Sequence, residues 1–258
     1  MSLDPANGAM RLDIVGAGPA YTDRPGATGA AYLLRLDDTA ILLDLGQGSF
    51  PRLAGLLDPG DLDAILISHL HPDHFIDLVS LRHFLRWGPK GPRHVRVIAP
   101  VGLSQRLDAL HDEPGFTAAT LDVEALEPSR MELGPLSVDV AAVAHHAPSF
   151  AFRVGSGTRP GLVYSGDCGR AEDLDGLIRP GDTLLAEVSF GPGPVPPTAS
   201  HLDGPLVGAL AARAGAARVL LTHMLMEFDV EQTIASVRRA FAGPVTFVQP
   251  GDRFSIPG

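Results

Sequence analysis

Four potential metal ligands crowd into six residues directly after a hydrophobic run, and this feature constrains the chain more than any other. The run DAILIS at 63–68 is followed by His69, His71, Asp73 and His74. A strand that ends in a tight turn can present the first two ligands to one side and the last two to the other. Two divalent ions roughly 3.5–4 Å apart could then share a hydroxide and stabilise both ends of a displaced bond. The alternative, a polar turn of solvated histidines, accounts poorly for so many ligands together.

Composition narrows the ligand chemistry and the partners. Cys168 is the only cysteine, so histidine and carboxylate remain as metal ligands, and a buried structural thiol is expected for Cys168 itself. The formal charge of −10 at pH 7 disfavours a broad groove for a polyanion such as nucleic acid. No run reaches transmembrane length and no signal peptide is visible. We therefore expect a cytoplasmic protein without membrane contact.

The order of hydrophobic runs predicts strands in two groups with helices between them. With 45% hydrophobic residues, we expect residues 10–258 to form one domain, and residues 1–9 to be disordered or left over from expression. The first group of predicted strands comprises 11–16, 31–36, 40–46, 63–68 and 95–100. Helices are predicted at 75–87 and 103–111, followed by an irregular acidic stretch. The later strands are predicted at 136–144, 150–154, 161–165, 183–188, 219–223 and 245–249, with helices at 203–214 and 230–242. This pattern favours an α/β fold in which two packed mixed sheets carry outer helices, a four-layer αββα sandwich.

The HxHxDH order after a strand resembles the signature of the metallo-β-lactamase superfamily, and similar motifs follow in order along the chain. Asp44 in LLDLGQGS resembles the family's acidic residue that hydrogen-bonds a metal-binding histidine. YSGDCG at 164–169 resembles the motif with a bridging aspartate, here Asp167, and VLLTH at 219–223 resembles the last metal motif, ending in His223.

A histidine pair leaves one assignment open. AHHAPSFAFR resembles the histidine segment of the family's RNA-processing and phosphodiesterase branches, and aligning Phe152-Arg153 with the aromatic-Arg pair there selects His145 over His146. Adjacent residues point opposite ways, so spacing alone decides this choice.

The resemblance implies a dinuclear metal site. One ion would take His69, His71 and His145, the other Asp73, His74 and His223, and Asp167 would bridge them. Nitrogen and oxygen ligands suit zinc, although manganese or iron would fit the same donors.

Glu187 and His201 resemble the Glu and His that protonate the leaving alkoxide in the tRNA 3′-processing endoribonuclease branch. Their plainer interpretations are a strand-end carboxylate and a solvated histidine at a helix start. With Asp73, they are the expected catalytic residues.

Two departures argue against the endoribonuclease itself. The chain has no long basic, glycine-rich insertion, and Met224-Leu225-Met226 replaces the polar residues expected after the last histidine.

The layout resembles compact relatives that include class II-like cyclic-nucleotide phosphodiesterases. We therefore expect a hydrolase of a small phosphodiester such as a cyclic nucleotide, in which metal-bound hydroxide attacks and His201 and Glu187 assist the leaving group. The alternatives are a tRNA-processing nuclease, a carbonyl hydrolase such as a lactonase or thioesterase, and a non-enzymatic metal-binding scaffold. Relatives of this fold often pair, which makes a homodimer a further expectation.

Overall fold

The strands of the protein form two seven-stranded mixed sheets in a computed structural model that describes residues 9–256. The first sheet has the order β14 (Arg253–Ile256), β1 (Met10–Gly16), β2 (Ala31–Leu36), β3 (Thr39–Leu43), β4 (Ala64–Leu66), β5 (Val95–Ala99) and β6 (Leu121–Ala125). The second has the order β13 (Val245–Phe247), β12 (Arg218–Thr222), β11 (Thr183–Glu187), β10 (Leu162–Tyr164), β9 (Phe150–Gly155), β8 (Leu136–Ala142) and β7 (Ser129–Leu133). In each sheet, parallel strands occupy one half and antiparallel strands the other.

The core is divided into three layers by the two sheets. Strand residues alternate between the layers, so that Leu12 and Ile14 of β1 lie between the sheets while Val15 faces helices. The helices over the first sheet are α1 (Phe50–Ala54), α2 (Pro72–Phe75), α3 (Leu78–Trp87) and α4 (Leu103–His111). Those over the second sheet are α5 (Gly204–Ala214) and α6 (Val230–Arg238). The predicted four-layer αββα sandwich is confirmed.

The structure differs from the local predictions at three places. The acidic stretch predicted to be irregular contains β6 and β7. Despite their exposed polar side chains, β6 pairs in parallel with β5 and β7 pairs antiparallel with β8. The helix predicted at 75–87 is divided at Ile76-Asp77 into α2 and α3. The strand predicted at 245–249 is β13, and it is followed by a further strand, β14, which was not predicted and pairs with β1. Such pairing partners are distant in sequence and leave no local signal.

The prediction for residues 1–9 falls, apart from Ala9, outside the described residues. Within residues 9–256, no helix combines the length and the apolar character that crossing a membrane requires.

The sheets place several chemically active segments at one edge. Strands β10, β11 and β12 run parallel, so the residues that follow or end them emerge at the same side of the second sheet. Asp167 follows β10, Glu187 ends β11, and His223 follows β12. Ligand sites in α/β proteins commonly form beyond such carboxyl ends.

Candidate metal centre

The structure brings all seven predicted metal ligands together in two adjoining groups. The first group comprises His69, His71, His145 and Asp167, and the second comprises Asp73, His74 and His223. Within each group the candidate ligand atoms lie within 4.8 Å of one another. The partition is the one that the family resemblance implies.

Distances between donor atoms match those of a coordination shell. Nδ1 of His71 lies 3.2 Å from Nε2 of His145, and Nε2 of His74 lies 3.3 Å from Nε2 of His223. Two nitrogens bound tetrahedrally to one zinc at its usual bond length are about 3.3 Å apart. The paired nitrogens therefore have the spacing that one cation between them would require.

Asp167 faces both groups with different oxygens. Its Oδ2 lies 3.7 Å from Nε2 of His69 and 3.6 Å from Nε2 of His145. Its Oδ1 lies 3.4 Å from Nε2 of His74 and 3.6 Å from Nε2 of His223. Although burial opposes ionisation, His223, His74 and His69 hold the pKa of Asp167 well below its usual value. This carboxylate is thus placed to contact a cation on either side.

Two buried polar atoms test whether this donor set fits metal ions. Nε2 of His69 and Oδ1 of Asp167 are buried and have no hydrogen-bond partner in the described part of the chain. A buried acceptor without a partner costs about 1–3 kcal/mol. Both atoms point among the other ligands, so bound cations would satisfy them, and the residues present fit a dinuclear site.

Asp44 lies behind the second group as the resemblance predicts. Its carboxylate accepts hydrogen bonds from His74 Nδ1 and Tyr164 Oη at 2.7 Å each, from Ser68 Oγ at 2.7 Å and from the Ser68 backbone N–H at 2.6 Å. Because Nδ1–H of His74 donates a hydrogen bond to Asp44, the lone pair on Nε2 is left for a cation. Ser68 and Tyr164 received no role from the sequence, although both lie inside motifs that we singled out.

Asp44 and His223 are held in an unusual backbone conformation. Their φ angles are 59° and 57°, and they are two of the four non-glycine residues with positive φ in the described chain. The left-handed region costs a residue other than glycine about 1–3 kcal/mol and is concentrated at functional sites. The surrounding sheets maintain this strain at a ligand and at the residue that orients another ligand.

The structure separates the two adjacent histidines. His145 donates from Nδ1 to the Ser200 carbonyl at 2.7 Å and turns Nε2 toward His71. His146 is exposed and stacks on the ring of His71, with the ring centroids 5.2 Å apart. His145 is therefore the one of the pair that lies among the ligands.

The Glu187–His201 pair adjoins the first group. His201 donates from Nδ1 to Oε1 of Glu187 at 2.9 Å, and the same nitrogen lies 3.9 Å from Asp167. Burial opposes protonation, but the hydrogen bond and charge of Glu187, with the charge of Asp167, raise the pKa of His201 to about 9. The side chain of His201 is 24% exposed, so it is partly open to solvent.

The neighbouring Cys168 is buried, and burial raises the pKa of its thiol to about 12. This agrees with the expected structural thiol. Arg153 is also buried, where it pairs with Asp182 instead of contacting the centre.

A family model described as the β-lactamase superfamily domain matches residues 40–224, which include every predicted ligand. The chain belongs to the metallo-β-lactamase superfamily. An uncharacterized protein of Mycobacterium leprae (strain TN) is 32% identical to this superfamily member over 254 residues, which are 96% of this chain and 89% of the relative. Ribonuclease Z of Mycolicibacterium paratuberculosis is 27% identical over 266 residues, covering 92% of this chain and 94% of the relative.

YhfI of Bacillus subtilis, described as a probable metallo-hydrolase, is 25% identical to this superfamily member over 250 residues, covering 94% of this chain and 98% of the relative. Its crystal structure superimposes with a TM-score of 0.85 at 21% identity, covering 96% of this chain and 99% of that one. The family match and the similarity to YhfI identify the protein as a metallo-hydrolase of the superfamily.

Proposed function

We propose that the protein is a phosphodiesterase that hydrolyses a small phosphodiester such as a cyclic nucleotide. The observation that carries this proposal is the Glu187–His201 pair, a histidine proton donor held 3.9 Å from Asp167 at the rim of the metal centre. The departing oxygen of a phosphodiester is an alkoxide, and a positioned acid speeds its departure by about 10²–10⁴-fold.

The seven ligand side chains would hold two divalent cations, zinc by the chemistry of the donors. Asp167 would be shared by both, since its carboxylate lies between the two histidine groups. When bound, the cations would supply Lewis-acid chemistry, lowering the pKa of water and neutralising charge on a phosphoryl group.

The chain's own residues would orient the ligands and move one proton. Asp44 holds His74 through Nδ1, and the Ser200 carbonyl holds His145 in the same way. His201 keeps Nδ1–H directed at Glu187, so its outer nitrogen, Nε2, carries the proton that is given to the leaving oxygen. Asp73, 3.1 Å from Nε2 of His223, would bind a cation and help orient the attacking water.

Charge favours a small substrate over a long RNA. The formal charge is −10, and residues 188–203, which form the loop beside His201, contain no lysine or arginine. A protein that follows an RNA backbone needs several basic contacts. The second candidate is nevertheless an RNA-processing nuclease, because a relative that matches nearly this whole chain is named ribonuclease Z.

A hydrolysis panel tests the proposal. Metal-loaded protein is offered an aryl phosphodiester, 3′,5′-cyclic nucleotides, precursor tRNA, a lactone and a thioester, and the product of each is quantified. We expect turnover of the aryl phosphodiester and of at least one cyclic nucleotide. Cleavage of the tRNA alone among the phosphodiesters would favour the second candidate. Turnover of the lactone or thioester with none of the phosphodiesters would overturn the phosphodiesterase assignment.

A further inference from the structure

Ser189 lies between the second ligand group and the Glu187–His201 pair, and neither the motifs nor the family resemblance assigns it a role. It follows β11 and is 1% exposed. Its hydroxyl oxygen is 2.7 Å from Oε2 of Glu187, 3.1 Å from Nδ1 of His223 and 3.2 Å from Nδ1 of His201. One buried hydroxyl thus touches a predicted metal ligand and both members of the predicted acid pair.

The direction of the hydrogen bonds follows from counting protons. A serine hydroxyl has one hydrogen to donate and two lone pairs that can accept. The carbonyl oxygen of His223 lies at 3.1 Å, but Oε2 of Glu187 is closer and negatively charged, so the hydrogen goes to Glu187. The oxygen is then free to accept a hydrogen bond from Nδ1–H of His223. Nδ1–H of His201 donates its hydrogen bond to Oε1 of Glu187, because that oxygen, at 2.9 Å, is nearer than the Ser189 hydroxyl at 3.2 Å.

Glu187 is completely surrounded by donors. Oε1 accepts from His201 Nδ1 at 2.9 Å and from the backbone N–H groups of Cys168 and Leu202 at 3.1 Å each. Oε2 accepts from the Ser189 backbone N–H at 2.9 Å and from the Ser189 hydroxyl at 2.7 Å. Because this carboxylate is buried, its orientation depends on these five donors.

We infer that Ser189 is a positioning residue that links the metal centre to the proton donor. Its hydroxyl oxygen accepts a hydrogen bond from Nδ1–H of His223, so the lone pair on Nε2 of His223, beside Asp73, stays free. Its hydroxyl hydrogen is donated to Glu187, and Glu187 in turn orients His201. Its effect on the proton donor rests on the proposed function, whereas its effect on His223 concerns metal binding alone. Residues that orient metal-binding histidines in this way typically change metal affinity by about 10–100-fold when removed.

The test compares Ser189→Ala with Ser189→Thr, which keeps the hydroxyl, and with Ser137→Ala. Ser137 is a matched control, because it is a buried serine of the second sheet whose hydroxyl donates to the Gly155 carbonyl, away from the centre. Zinc is titrated into each metal-free protein against a chromophoric chelator. We expect Ser189→Ala to bind one of the two zinc ions, the one at the group that contains His223, at least tenfold less tightly. The zinc affinities of Ser189→Thr and Ser137→Ala should remain within about threefold of the parent's. Unchanged binding of both ions by Ser189→Ala would overturn the inference.

A second measurement needs no variant. In zinc-loaded parent protein, the Nδ1 proton of His223 should give a proton NMR signal protected from solvent exchange, unlike that of the exposed His94. Rapid exchange at His223 would contradict the hydrogen bond to Ser189.

Activity separates this inference from the proposed function. At saturating zinc, the kcat of Ser189→Ala on a cyclic nucleotide should fall, because the leaving alkoxide needs a proton. Its kcat on an aryl phosphodiester, which has a good leaving group, should stay close to the parent value. An equal loss on both substrates would remove the link to His201. If the parent cleaves neither substrate, the proposed function fails, and the zinc titration and the exchange measurement still decide the position of Ser189.

Discussion

The two ends of β10 and β11 carry buried polar clusters of opposite character. At their amino ends, Arg153 and Asp182 form an ion pair with Nε–Oδ2 and Nη2–Oδ1 distances of 2.7 and 2.9 Å. Asp182 also accepts from the backbone N–H groups of Gly161 and Arg179. Its carboxylate is satisfied entirely by the chain, and in the described residues only Nη1 of Arg153 lacks an acceptor in that pair.

The carboxyl ends of the same strands are incomplete by comparison. Asp167, after β10, is as deeply buried as Asp182, but its Oδ1 has no donor in the described chain and the atoms around it are imidazole nitrogens. A buried carboxylate surrounded by its own donors serves the fold, whereas one that faces only other ligand atoms requires something from outside the chain. The difference identifies the functional end without reference to any relative.

The largest expected effect is a loss of activity in His201→Ala without a loss of zinc. Replacing His201 by alanine should lower the rate with a cyclic nucleotide by about 10²–10⁴-fold, because no acid then protonates the leaving oxygen. Zinc content, measured by elemental analysis, should stay at the parent value. His94→Ala, which removes an exposed histidine paired with Asp122, is the control and should retain full activity. Loss of zinc from His201→Ala would mean that this residue is a ligand.

Breaking the Arg153–Asp182 ion pair should lower the stability of the protein and leave its zinc content unchanged. Asp182→Ala leaves the Arg153 guanidinium buried without its partner, and we expect the free energy of unfolding to fall by about 3–5 kcal/mol in urea titrations. Zinc bound per folded molecule should not change. Asp175→Ala removes the exposed partner of Arg213 and should cost under about 1 kcal/mol. A similar cost for both variants would show that burial of the Arg153 pair has no special weight.

The Asp44 cluster gives a smaller effect on the metal centre. Asp44→Asn keeps the side-chain shape but cannot accept all the hydrogen bonds of Ser68, His74 and Tyr164. Zinc affinity should fall by about 10–100-fold in chelator competition. Asp122→Asn alters an exposed aspartate–histidine pair and should leave zinc affinity unchanged. Parent-like affinity in Asp44→Asn would refute its orienting role.

Acidification should release the two ions in order. Burial first, and then the charge of neighbouring histidines, lowers the pKa of His69 and His71. Burial opposes protonation of His74 and His223 too, but Asp167, with Asp44 at His74 and Asp73 at His223, raises their pKa. As the pH falls, protons therefore compete with the ion at the second group above the ordinary histidine pKa of about 6.5, and at the first group only below it. Zinc per molecule after dialysis at decreasing pH should fall from two to one before it reaches zero, and simultaneous loss would contradict this order.

Local sequence was enough to predict the parts of the site in which ligand spacing and strand ends coincide. The six residues after β4 contain four ligands, and His223 directly follows a hydrophobic strand, so a period-two pattern and a turn suffice to place them. The four-layer sandwich followed from the order of the hydrophobic runs, which form two groups of strands with helices between them.

Contacts between distant segments decided the rest. Only packing against Ser200 turns His145, rather than His146, toward His71. Sequence placed Arg153 only within an aromatic-Arg pair, whereas its pairing with Asp182, 29 residues away, buries it. Ser189 carries no motif and meets Glu187, His201 and His223 only because β11 and β12 lie side by side. Sequence patterns report which face or end of an element a residue occupies, while the partner across the fold depends on how the elements pack.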